Sequence, residues 1–209
     1  MKNKPSGCLS TLQTEFRTLR ALDDKNQELF ARASSVRGLT KTQMLLMTEA
    51  VFFAAFRTYE QFLRNVFLLY CCGIQSSGRK LVRSFLHPKT IQHAEKLLKS
   101  SMPFLDCSSP DTLIERAEAY LKDGHPLKIS ISTNLDSLRT LKKVRNHIAH
   151  MSTESMAEFK KVLKTHYGTI PLKLLRPGEF LLLPSKHDPT SYYLRSYMDL
   201  MEDIALQVS

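Results

Sequence analysis

The sequence lacks the spacings of a disulfide framework or a thiolate metal site. Its four cysteines are Cys8, Cys71, Cys72 and Cys107. The middle two adjoin inside an apolar helical run, and no pair has the CxxC spacing. The opening residues MKNKPSGC have no apolar signal core, so the reading is a reducing cytoplasm. Nor is there a bilayer-length segment. The apolar run over residues 50–56 is bounded by Glu49 and Arg57, far short of the roughly 20 residues a spanning helix needs. No membrane partner is expected. There is also no internal repeat, low-complexity stretch or obvious linker, so residues 1–209 read as a single domain, long enough to bury a core.

What is present is a basic chain. Its formal net charge is +10 and its pI about 9.5, with 43% hydrophobic and 24% charged residues. That composition is ordinary for a soluble globular protein and unlike a disordered one. The excess positive charge favours a polyanionic partner, nucleic acid before an acidic protein or a membrane surface.

The periodicity is mostly helical. Leu12, Phe16, Leu19 and Leu22 recur at spacings of three and four, predicting an amphipathic helix from about Ser10 to Arg37 that Gly38 ends. Thr40 or Thr42 can cap a second helix running to about Cys72, with Gly73 as its stop. This segment is apolar around most of its circumference. Glu49, Arg57, Glu60 and Arg64 fall in a stripe roughly 80° wide that must face solvent, an interface or a site. Prolines and glycines cut residues 74–131 into short helices, near 79–86, 88–100 and 110–122. A helix capped by Ser132, Thr133 or Asn134 then buries Leu135, Leu138, Leu141 and Val144 and stops near His150. Ser155 and Glu158 suggest a capping box for the next, to about His166. Residues 170–183, IPLKLLRPGEFLLL, read as two short strands about a Pro-Gly turn. A last helix after Asp188-Pro189 turns Tyr193, Tyr197, Leu200, Met201 and Ile204 inward. The expected fold is an all-α helical bundle with a small C-terminal β-hairpin insertion.

The chemistry concentrates in LKKVRNHIAH, residues 141–150. Asn146 and His150 are about 40° apart on a helical wheel, and Arg145 and His150 about 140°. With the small Ala149 between them they form a broad polar surface at a helix end. A histidine can move protons near neutrality, and an arginine can hold phosphate. Metal-free RNA cleavage needs a base for the 2′-hydroxyl, an acid for the leaving oxygen and a cation for the phosphorane. One chain offers one clear histidine here, so a C2 dimer placing two such helices face to face would supply the second group. His147, one turn before His150, is read as a packing or supporting residue, because no Cys, Asp or Glu cluster accompanies the pair to hold a metal. Glu60 could orient Arg145 or His150, or simply pair with Arg64 at i,i+4. Arg139, Lys142 and Lys143 could contact RNA phosphates or form a solvated basic face.

Arg145, Asn146 and His150 match the Arg-x(4–6)-His motif of the HEPN superfamily, in which a polar residue often follows the arginine. The segment AFRTYEQFLRNVFLLY also resembles the long HEPN helix carrying an acidic residue near the site, which would be Glu60. The likeness covers about residues 42–72 and 132–166, and is to HEPN proteins of toxin–antitoxin and antiviral defence systems. It implies a metal-independent, cofactor-free endoribonuclease, homodimeric, leaving a 2′,3′-cyclic phosphate and held in check by an antitoxin or defence-system partner. Some HEPN toxins carry a modifiable tyrosine two residues after the histidine; this chain has Ser152 there. Other HEPN proteins only bind nucleotides or partners, so the alternative is a non-catalytic RNA- or partner-binding module.

Overall fold

The computed structural model describes residues 4–32, 38–77, 81–99, 107–186 and 188–209. Among these the chain forms nine α-helices and no sheet; its β pairing consists of two isolated bridges, Ser84 with Leu121 and Pro184 with Tyr192. The helices are α1 (Pro5–Ala31), α2 (Lys41–Cys71), α3 (Ile91–Lys99), α4 (Pro110–Tyr120), α5 (Leu127–Thr133), α6 (Leu135–His150), α7 (Thr153–Tyr167), α8 (Pro177–Leu181) and α9 (Tyr193–Val208). No described helix is long and apolar enough to cross a membrane.

The chain divides into two compact units. The first comprises residues 1–13, 58–139 and 201–209, the second residues 14–57 and 140–200. In the first, Val66, Phe67, Tyr70, Leu113, Leu121, Leu127, Ile131, Ile204 and Val208 are buried. The Tyr70 hydroxyl donates to the Val208 carbonyl, and Arg64 Nη2 lies 2.6 Å from Glu95 Oε1.

In the second unit Phe16, Phe52, Phe56, Leu141, Val144, Phe159, Phe180, Tyr193 and Tyr197 are buried. The inward row of α1 departs from the expected one. Phe16 is buried, but Leu22 is 43% exposed, and the row continues through Asp23 and Asn26, 0% and 1% exposed. Spacings of four and three from Leu12 and Phe16 lead through Leu19 to residues 23 and 26, so the period was right and the side chains on it are polar. Asp23 is held there by α9 and the residue before it: Oδ2 accepts from the Tyr192 hydroxyl and, at 2.8 Å, from Arg195 Nε. The expected extension to Arg37 is partly outside the described residues; α1 ends at Ala31.

Thr40, not Thr42, caps α2, its backbone N–H reaching Gln43 Oε1 at 2.9 Å while Gln43 N–H reaches Thr40 Oγ1 at 3.3 Å. Gly73 follows with a left-handed φ of +77°. The helix expected over 79–86 is not formed: residues 81–83 are irregular and Ser84 bridges to Leu121, while 79 and 80 lie outside the described residues.

The hairpin expected at 170–183 is corrected to a short helix, α8, preceded by irregular chain. Pro177 opens α8 and Glu179 Oε2 accepts from the Arg176 N–H at 3.0 Å, a helix-start arrangement in place of a turn. Gly178 presses on α2: its N–H donates to Glu49 Oε1 at 3.0 Å, and a Cβ there would lie 2.6 Å from the Leu45 carbonyl oxygen. Glu49, on the polar stripe expected to face solvent, an interface or a site, is buried at 4% exposure.

Candidate functional site

α6 brings the motif to its C-terminal turns. It follows α5 almost without a break, because Asn134 Nδ2 turns back to the Ser130 carbonyl at 2.9 Å and closes α5 rather than capping α6 by its side chain. Leu141 and Val144 are fully buried, which fixes the rotation of the helix. His150 is the last helical residue. Met151 then takes φ +47°, its N–H reaching the His147 carbonyl at 3.1 Å. α7 starts at once, with Ser152 as N-cap accepting from Ser155 N–H. The cap is therefore Ser152 and not Ser155, which lies buried one turn in.

The three motif residues do not share one open face. His150 and Ala149 are exposed, whereas Arg145 and Asn146 are half-buried. The Arg145 guanidinium carbon sits 5.6 Å from the Phe53 ring centroid and 5.7 Å from that of Phe56. Its Nη1 donates to Asn146 Oδ1 at 3.0 Å. Asn146 thus orients its neighbour, and α2 supplies an aromatic floor beneath the cation. Sequence reasoning did not single out Phe53 and Phe56. Their i,i+3 spacing was visible, but in a helix apolar nearly all round nothing marked which pair would meet an arginine far along the chain.

His147 is 5% exposed and stacks on Phe159, ring centroids 5.1 Å apart. Its Nδ1 lies 3.1 Å from Ser155 Oγ, and that hydroxyl donates its one proton to the Ser152 carbonyl at 3.0 Å. Nδ1 must then be the donor, which assigns the tautomer. Burial pushes the imidazole below its ordinary pKa, with the Glu49 carboxylate acting more weakly in the opposite direction. A buried, neutral His147 ties the end of α6 to the start of α7. It is a supporting residue, while His150 carries the accessible imidazole.

The other candidates distribute as follows. Glu60 and Arg139 belong to the first unit, Lys142 and Lys143 to the second. Glu60 is half-buried on the face of α2 that carries Phe53 and Phe56. Arg64, one of the alternatives for its partner, is engaged by Glu95. Arg139 forks onto Asp111, with Nη2 2.5 Å from Oδ1 and Nε 3.2 Å from Oδ2. Lys143 Nζ is 3.3 Å from Glu158 Oε2. These are surface pairs worth up to about 1 kcal/mol, so a phosphate could displace the carboxylate at little cost. Among the described residues no group of three or more His, Cys, Asp or Glu side chains is placed to hold a metal.

Compared with family models, curated proteins and solved structures, the chain finds no match in any of the three.

Proposed function

We propose that the chain is a HEPN-type endoribonuclease whose active surface is the C-terminal part of α6. The observation that carries this reading is an accessible His150 five residues beyond an Arg145 held in place by Asn146 and two aromatic rings. Along the helix axis the two are separated by about 7.5 Å, a distance a nucleotide's phosphate and ribose can bridge.

In the proposed reaction His150 takes the proton of the ribose 2′-hydroxyl. The 2′-oxygen attacks phosphorus, Arg145 neutralises the phosphorane oxygens, and the 5′-oxygen leaves with a proton from a second imidazole. The products are a 2′,3′-cyclic phosphate and a 5′-hydroxyl. His147 is too buried to be the second group, so the proposal assigns it to His150 of a second copy, making the enzyme a C2 homodimer. Lys142 and Lys143 extend the surface for RNA phosphates, and Arg139, in the first unit, is proposed as a separate phosphate contact. The sequence resemblance, rather than the geometry, supplies the toxin or antiviral role, the cytoplasmic setting and the antitoxin or defence partner.

The half-burial of Arg145 favours the second reading, a non-catalytic RNA- or partner-binding module, because a packed guanidinium also serves as a docking element. Substituting His150→Ala separates the two. The ribonuclease should lose cleavage at least about a hundredfold while keeping its melting temperature and RNA affinity. A binding module would show no cleavage in the parent chain to lose.

A further inference from the structure

Arg145 is the one described arginine placed over two phenylalanine rings. We propose that Phe53 and Phe56 are positioning residues, fixing the plane and reach of the Arg145 guanidinium for the scissile phosphate. The inference rests on the ribonuclease reading above.

The guanidinium is flat and donates only in its own plane, so its value to a phosphate depends on where that plane lies. A free arginine side chain samples many planes. At least two features limit Arg145: ring faces attract the cation, and Asn146 Oδ1 takes an Nη1 hydrogen at 3.0 Å. The floor is itself fixed. Phe56 is 3% exposed and contacts Phe52, centroids 6.4 Å apart; Phe52 in turn packs on Tyr197 of α9 at 6.1 Å. Phe53, three residues before Phe56 and on the same side of α2, is half-buried. An aromatic pair serving only as core would need no cation above it.

Leucine and tyrosine at position 53 separate the two roles. Leucine keeps an apolar side chain but has no ring quadrupole; tyrosine keeps the ring, and its hydroxyl at this half-buried position need not be buried. In full-length protein cleaving a short oligoribonucleotide, Phe53→Leu should lower kcat about five- to thirtyfold, with KM within about twofold. Phe53→Tyr should stay within about twofold of the parent. The proposal is overturned if Phe53→Leu keeps the parental kcat, or if the leucine and tyrosine variants fall together. His150→Ala in the same assay keeps the two ideas apart. If it cleaves like the parent, or the parent does not cleave, the ribonuclease reading fails and the inference with it. If it is inactive while Phe53→Leu cleaves at the parental rate, only the positioning role fails.

Discussion

Replacing Gly178 by alanine should destabilise the protein, although glycine to alanine inside a helix ordinarily does the reverse. Alanine reduces the freedom of the unfolded chain, which alone would stabilise by about 0.4–1 kcal/mol. Here the added Cβ would lie 2.6 Å from the Leu45 carbonyl oxygen and 3.1 Å from Glu49 Oε1. The first neighbour is backbone and cannot rotate away, so α8 must lift from α2. Overpacking of this kind costs about 1–3 kcal/mol. Lifting α8 also stretches the 3.0 Å bond from Gly178 N–H to Glu49, a charged acceptor contributing about 1.5–3 kcal/mol. A net loss of about 2–4 kcal/mol corresponds to a fall in Tm of roughly 5–15 °C for a chain of this size. Thermal melting followed by circular dichroism at 222 nm measures it. Gly168→Ala is the control: nothing lies within 4 Å of its Cβ, but its φ is +80°, so a left-handed alanine there should cost only about 1–2 kcal/mol. An unchanged or raised Tm for Gly178→Ala would refute the close packing of α8 on α2.

Three further outcomes follow from the same geometry. Met151 adopts φ +47° and is 69% exposed, so Met151→Gly should relieve left-handed strain and raise stability by about 0.5–1 kcal/mol, read as a Tm gain of about 1–4 °C; a lower Tm would contradict it. Asn26 is 1% exposed, and neither of its side-chain polar atoms has a hydrogen-bond partner among the described residues, so Asn26→Leu should stabilise by about 1–2 kcal/mol in a denaturant titration. Destabilisation there would mean that the amide is satisfied in solution. His147 and His166 are both depressed by burial, and a depressed histidine binds its proton more readily when unfolded. Stability should therefore fall as pH drops below about 6.5, above the carboxylate range. His147→Gln should flatten that slope, leaving the share due to His166; an unchanged slope would place His147 outside the linkage.

The elements legible from sequence were those with long, regular periods. α2 begins and ends within a residue or two of its expected bounds because Thr40 and Gly73 are strong local signals, and α6 stops at His150, where it was expected to stop. The failures came where tertiary contact chose between local options. FLLL after Pro-Gly fits a short strand or a buried helix turn equally well, and the close seat of Gly178 on α2 selected the helix. Asp23 and Asn26 lie on the inward row of α1 without an apolar signal to mark them, and the buried Asp23 is held by Tyr192 and Arg195, far along the chain. The motif shows the same division. The order Arg-Asn-x-x-x-His was readable, but not that Asn146 would be half-buried against Arg145 while His150 stands exposed. The burial of Arg145 over Phe53 and Phe56 was not readable either, since it arises from packing between two helices distant in sequence.

The central claim is that the Arg145–His150 surface cleaves RNA through the ribose 2′-hydroxyl. The direct measurement is incubation of the purified chain, in the presence of EDTA, with an oligonucleotide carrying one ribonucleotide and with its all-deoxy counterpart. Cleavage is predicted only 3′ of the ribonucleotide, leaving a 2′,3′-cyclic phosphate detectable by mass, and neither His150→Ala nor Arg145→Ala should produce it. Equal cutting of the all-deoxy strand, or product formation by His150→Ala at the parental rate, would contradict the account.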